Sequence, residues 1–294
     1  MKLRRKGGSP SVGHTIVFWS PVSGLAGTTS NLTAVAALLG LEYTARSVLF
    51  GHSPSSFTAL GQGFSRTAWE NGDMLSGTDM GVDALLRLVQ NHKLQPAMIY
   101  NYTLPLLKDR LDMLPGSQRT DESFMIAGMP WLSTMLDMAK RAYDLVLVDG
   151  GCGARSAWTM ALLQEADVLV ICLPQNKLVL QQFFGHSGMQ ELLESKKHVL
   201  VFGQYDRHSA LTAKNLLRPL GKQHHTAYSI SYNTRWLDDR QNGDALRYFF
   251  RNRHVGKEHE NFNYVREVRM LAQALIKQCG LNQPLFGGRE DHSR

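Results

Sequence analysis

The chain has 294 residues, 43% hydrophobic and 19% charged, with 32 Lys and Arg against 25 Asp and Glu, a net charge of +7 and a pI near 9.4. These are the proportions of an ordinary soluble protein, with enough chain to bury a sizeable core in one large α/β domain or two small ones. They exclude a spanning segment, since no run approaches the roughly 18 apolar residues one requires, and the basic start Met1–Gly8 is followed by no apolar stretch of a signal peptide.

The three cysteines, Cys152, Cys172 and Cys279, show no paired spacing, and Cys172 falls in an apolar strand, so reduced thiols in a cytoplasmic protein are expected. The basic excess suits an acidic partner such as DNA, a membrane surface or an acidic protein face, while its scatter also suits a merely solvated surface.

Residues 1–13 read as a disordered basic tail. Thr15–Trp19 is an apolar strand, Ser20–Asn31 a loop of small residues, and Leu32, Val35, Ala36 and Leu39 recur at helical spacing. A strand that feeds a small-residue loop and a helix with hydroxyls in its first turn is the layout of a phosphate cradle. Backbone N–H groups point outward there, and the helix N-terminus adds a partial positive charge. Ser23, Gly24, Leu25, Ala26, Gly27, Thr28 and Thr29 are therefore the candidate nucleotide-binding residues. A standard P-loop places a lysine just before the Thr, and here that place holds Gly27. The alternative is a tight strand–helix turn without a ligand.

Further on, Val48–Phe50 is a short strand, and residues 51–80, rich in Gly, Ser and Thr, read as loop. Val82, Leu85, Leu86 and Val89 mark an amphipathic helix that stops before Pro96. Leu111–Leu114 is a strand with a Pro115-Gly116 exit. Leu132, Met135, Leu136 and Ala139 mark a helix leading into the strand that ends Val148-Asp149-Gly150-Gly151. Helix Ser156–Gln164, strand Val168–Leu173, helices Leu178–Phe184 and Met189–Leu193, strand His198–Phe202, helix Ser209–Leu217, strand Ala227–Ser231 and helix Phe262–Gln278 complete the alternation. Strands apolar throughout are covered on both faces, which predicts a mostly parallel sheet between helix layers. One domain over 14–280 is expected, followed by a polar tail at 281–294.

Asp149 stands at the C-terminal end of an apolar strand, the edge where open α/β sheets bind ligands. In P-loop proteins such an acid holds Mg²⁺, usually through water, with the loop Thr as a direct ligand, so Thr28 and Asp149 form the expected metal pair. The bland alternative for Asp149 is a cap on the following loop. The late segment Arg235–Lys257 gathers Arg235, Arg240, Arg247, Arg251, Arg253 and Lys257 with Trp236, Tyr248, Phe249 and Phe250. Its acids Asp238, Asp239, Asp244 and Glu258 dilute it toward a solvated face rather than a nucleic-acid site. His224, His225 and His254 lack metal-ligand spacing.

The stretch Ser20–Thr29 resembles the deviant phosphate loop of the MinD/ParA ATPase family, Lys-Gly-Gly-x-Gly-Lys-Thr-Thr. On that pattern Val22 takes the signature lysine's place, Ser23 and Gly24 the two glycines, Gly27 the second lysine's, and Thr28 and Thr29 the Thr pair. Leu111–Gly116 is similar to the family's strand ending Leu-Pro-Gly, Ala166–Ile171 to the strand after the Walker B aspartate, and Tyr228–Asn233 to its Ile-Pro-Tyr-Asp strand and exit loop. Order and spacing agree from about residue 14 to 278. Among family members, the pilus-assembly proteins CpaE and TadZ often lack the second lysine, and some carry a Ser-Pro entry like Ser20-Pro21; many also carry a receiver-like domain ahead of the part seen here.

The resemblance implies a three-layer MinD/ParA-like P-loop fold and an ATP and Mg²⁺ site of weak or absent occupancy. It further implies a homodimer and a partner such as a secretion or pilus ATPase or a membrane-associated assembly protein. That partner would recruit the cytoplasmic chain to the membrane periphery. The departures bear on catalysis. Val22 and Gly27 replace lysines, Gly51-His52 replaces the acid that positions the attacking water, and Gly203-Gln204 stands where an Asn usually contacts adenine. Each charge-assisted hydrogen bond to phosphate is worth about 1.5–3 kcal/mol, so hydrolysis near background is expected unless Arg155 or His52 substitutes. The alternatives are a ParA-type ATPase positioning DNA or protein cargo, with DNA held through Arg235–Lys257, and a nucleotide-free scaffold. In the family two subunits face each other across their loops. Val22 with Trp19, Pro21 and Leu25 would give an apolar contact there, unless Trp19 and Leu25 belong to the core and the chain is a monomer.

Overall fold

The computed structural model describes residues 12–51, 59–64, 80–117, 119, 121–154, 156–281 and 284–285. Most of the basic tail, most of the 51–80 loop, His52, Arg155 and most of the C-terminal tail lie outside the described residues.

The chain alternates as the apolar runs predict. Strand β1 (His14–Ser20) leads through the loop into α1 (Thr28–Glu42) and β2 (Ser47–Gly51). After α2 (Gly81–Gln90) and a 3₁₀ segment at Pro96–Tyr102 come β3 (Leu104–Leu107) and β4 (Leu111–Met113). Then follow α3 (Asp121–Gly128), α4 (Leu132–Ala142), β5 (Leu145–Cys152), α5 (Ala157–Glu165), β6 (Val168–Leu173), α6 (Lys177–Gly185) and α7 (Ser187–Ser195). The last third holds β7 (Lys197–Tyr205), α8 (Ala213–Leu217), β8 (Ala227–Ser231), α9 (Thr234–Gln241), α10 (Ala245–Asn252) and α11 (Phe262–Gln278).

The strands form one sheet in the order β3-β4-β2-β5-β1-β6-β7-β8, parallel throughout except for β3, which pairs antiparallel with β4 at the edge. Side chains alternate to the two faces, and each face has its own core. On one side Ile16, Phe18, Leu147 and Val170 meet α1 and α11; on the other Val17, Trp19, Val148 and Ile171 meet Trp158, Leu162 and Phe183. Asn31 to Gly40 of α1 are all buried, so this helix is an interior rod rather than an amphipathic cover. Among the described residues no helix is long and apolar enough to cross a membrane.

Four named elements lie beyond the sequence expectation: β3, α3, and the helices α9 and α10 between β8 and α11. Strand β3 carries Pro105, which a central strand would not tolerate but an edge strand does. Helix α3 has no clear apolar stripe to announce it. Helix α8 is shorter than expected, beginning at Ala213 behind a Thr212 cap whose hydroxyl accepts the Asn215 N–H at 3.2 Å.

Candidate functional site

The site forms where β1 and β5 end side by side. Their register pairs Phe18 with Asp149 and Ser20 with Cys152, which brings the loop after β1 alongside the carboxylate. The loop turns into α1 at Gly27, whose φ of 59° is the left-handed conformation that favours glycine. A Cβ at Gly27 would also stand 3.3 Å from Gln204 Cγ, a tight contact that the exposed Gln204 side chain can relieve, so the left-handed φ is the main reason for glycine here. The first N–H groups of α1 lack intrahelical partners and face the opening, as at any helix start.

Asp149 is buried, and both its oxygens are engaged: Oδ2 accepts the Thr29 hydroxyl at 2.7 Å and Oδ1 accepts the Gly151 N–H at 3.0 Å. The hydroxyl that meets the carboxylate is thus Thr29, one residue beyond the Thr28 expected from spacing. Thr28 instead lies beside the buried Cys172, whose sulfur accepts from Asn31 Nδ2 at 3.7 Å and whose thiol burial pushes up to about 12. The helix start explains the shift. In the order Gly-Lys-Ser/Thr of a P-loop, Gly27 is the glycine, Thr28 stands in the lysine's place and Thr29 is the hydroxyl. Either way the loop has no lysine.

A cavity of about 400 Å³ opens over this pair, lined by Val22, Ser23, Gly24, Gly27, Thr28, Thr29, Ser30, Asp149, Gly151, Cys152, Gln204, Leu237 and Arg240. Five of the seven loop candidates, Ser23, Gly24, Gly27, Thr28 and Thr29, are in its wall. Leu25 and Ala26 are not: Leu25 is 51% exposed, and Ala26 is buried with its carbonyl accepting from Asn31 Nδ2 at 3.0 Å.

Sequence reasoning missed Arg240 as a member of this site. It counted only as one of a late basic group, and no local spacing reveals that α9 lies across the loop. The helix is seated by Asn233, whose Oδ1 caps it by accepting the Trp236 N–H at 2.7 Å, and by the Trp236 indole, which donates to Ser30 Oγ at 2.8 Å. That seat carries Arg240 to the cavity. Burial lowers its pKa, opposed by the nearby Tyr264 and Asp149, and its Nε is enclosed without a hydrogen-bond partner.

Gln204, at φ 48°, holds a backbone conformation uncommon for a residue other than glycine and closes the cavity at the end of β7. Gly203 beside it lies tight against the loop, since a Cβ there would stand 2.0 Å from the Ala26 carbonyl oxygen.

The remaining basic and aromatic residues do not make a stacking platform. Trp236, Tyr248 and Phe249 are buried in the core, Arg235 pairs with Asp239 at 3.2 Å and Arg247 with Asp244 at 3.7 Å. Of the aromatics there only Phe250 is exposed, under the Arg253 guanidinium. Trp19 is a core residue whose indole donates to the Gly153 carbonyl at 2.7 Å, so it adds nothing to a surface patch; Leu25 does stand exposed.

No family model matches the chain, and no curated protein is similar to it in sequence. Solved structures are similar in fold. A ParA family ATPase from Chlorobium tepidum TLS superposes with a TM-score of 0.67 at 14% identity, over 88% of this chain and 98% of that one. A plasmid partition protein from Borrelia burgdorferi B31 bound to AMPPNP gives 0.60 at 13%, over 90% and 99%. The septum site-determining protein MinD from Pyrococcus horikoshii OT3, complexed with Mg-ADP, gives 0.60 at 13%, over 91% and 98%. The architecture is therefore the α/β fold of MinD/ParA-type P-loop NTPases, with a mostly parallel central sheet.

Proposed function

We propose that the chain is a MinD/ParA-like positioning factor, of the CpaE/TadZ kind, that docks onto a pilus or secretion machinery and binds Mg²⁺–ATP with turnover near background. The observation that carries the reading is the Thr29–Asp149 hydrogen bond at the floor of a cavity whose loop has no lysine. A hydroxyl and a carboxylate in contact at a strand's C-terminal end are the two protein groups that hold Mg²⁺ in P-loop proteins. Thr29 would be the direct ligand and Asp149 the partner through water. The open loop around Gly24 and Gly27 leaves backbone N–H groups free to meet phosphate oxygens, and Gln204 and Leu237 would border the base. Bound Mg²⁺ would supply charge neutralisation across the phosphates.

Binding and turnover separate for a physical reason. Backbone N–H groups and the helix terminus stabilise ground-state phosphate charge, whereas the lysines of the family pattern act most where charge grows in the transition state. The chain keeps the first set and lacks the second. Two measurements test the reading. Steady-state ATP hydrolysis by the purified chain should sit at background, and a clear turnover that vanishes in Asp149→Ala would refute it. A secretion ATPase encoded beside this gene should co-purify with the chain; co-purification with a centromere-binding protein instead would favour a partition role.

A further inference from the structure

We propose that Arg240 is a cationic ligand for a phosphate group of the bound nucleotide, supplying from α9 the charge that the loop lacks. The inference rests on the nucleotide reading above and adds to it a residue outside the loop.

Three observations carry it. Among the described residues that line the cavity, Arg240 is the single cation, and it shares the wall with loop glycines, four hydroxyl side chains at Ser23, Thr28, Thr29 and Ser30, and one carboxylate. Its neighbours leave it unsatisfied. Nε is enclosed with no hydrogen-bond partner, and the buried Tyr264 hydroxyl near it also has none. Asp149 is near enough to act on Arg240 electrostatically but does not complete an ion pair with it: among the described residues no carboxylate oxygen lies within 4.0 Å of the guanidinium. Third, the guanidinium is aimed rather than free. Its stem runs past Gly63, where a Cβ would meet Arg240 Cγ at 3.4 Å, and α9 is pinned to the first turn of α1 by the Trp236–Ser30 hydrogen bond.

A guanidinium drawn largely out of water with no anion paired to it is a costly arrangement, and a phosphate bound in the cavity beside it would supply that anion. The planar fork of arginine also matches two phosphate oxygens at once and brings a full positive charge, which neither the Thr28 hydroxyl nor the backbone carries. A lysine on the loop would reach the phosphates from below. Arginine on α9 borders the same cavity as the loop.

The test uses the full chain and calorimetric titrations of ATP with Mg²⁺, and of inorganic phosphate, into the unaltered protein, Arg240→Met, Arg240→Lys and Arg247→Met. Arg240→Met should weaken ATP binding by about tenfold or more, Arg240→Lys should recover part of the loss, and Arg247→Met should bind as the unaltered chain does. Without ligand, Arg240→Met should melt no lower than the unaltered chain. Equal ATP affinity in Arg240→Met would overturn the inference alone. So would a lost affinity accompanied by a lowered melting temperature, because Arg240 would then be a structural prop. Binding of inorganic phosphate that depends on Arg240, with none of ATP, would keep the phosphate role and remove the nucleotide reading. No binding of either ligand by the unaltered chain would overturn both.

Discussion

A Cβ at Gly203 would stand 2.0 Å from the Ala26 carbonyl oxygen and 2.6 Å from Asn31 Nδ2. Both are parts of the frame that holds the loop, so Gly203→Ala should push the loop away from β7. Overpacking of this kind costs about 1–3 kcal/mol, readable as a lower midpoint in urea unfolding, and nucleotide affinity should fall with it. The histidine group at the opposite end of β7 gives a pH prediction. Burial, with the charges of His198, His224 and Lys222 after it, lowers His225 from 6.5 to about 4, and its Nδ1 lies 2.8 Å from His198 Nε2. The neutral ring belongs to the folded state, so the unfolded chain takes up this proton first as pH falls. Stability present above pH 6.5 should be lost between 6.5 and about 4, and thermal melts of His225→Phe should show a shallower loss over that window. At this scale the sequence pointed to the loop and to Asp149 but paired the acid with Thr28. A one-residue offset cannot be read from a loop without its lysine, because the lysine is what fixes the pattern's register.

Helix α9 is the element whose role was least legible. Its boundaries follow from Asn233 as cap, but its position over α1 depends on a hydrogen bond between residues 206 apart, Trp236 and Ser30, and no local pattern encodes that. The same burial explains why the Arg235–Lys257 segment reads as a basic-aromatic patch in sequence and is not one in space. Trp236→Phe keeps most of the ring volume and removes the donor, so it should cost about 1 kcal/mol of stability. It should also weaken ATP binding by loosening the seat of Arg240. Unchanged affinity in Trp236→Phe would mean that α9 is held by its apolar contacts alone. The long apolar strands and α11 were legible because burial on both faces, or along one stripe, leaves a strong periodic signal. The edge strand β3 and helix α3 lack that signal.

For the whole molecule, the parallel sheet explains why loop and acid meet. Placing β1 between β5 and β6 puts the ends of β1 and β5 in one crevice, although about 120 residues separate Thr29 from Asp149. The alternation of apolar strands and helices made this architecture readable from sequence, and the fold neighbours agree with it at 13–14% identity. The chemistry at the crevice is where the chain departs from a standard P-loop.

A Mg²⁺–nucleotide site built on Thr29 and Asp149 is tested by titrating ATP with and without Mg²⁺ into the unaltered chain, Thr28→Val and Thr29→Val. Mg²⁺ should strengthen ATP binding in the unaltered chain and in Thr28→Val, and this Mg²⁺ dependence should be lost in Thr29→Val. Mg²⁺ dependence that survives in Thr29→Val and disappears in Thr28→Val would contradict this assignment.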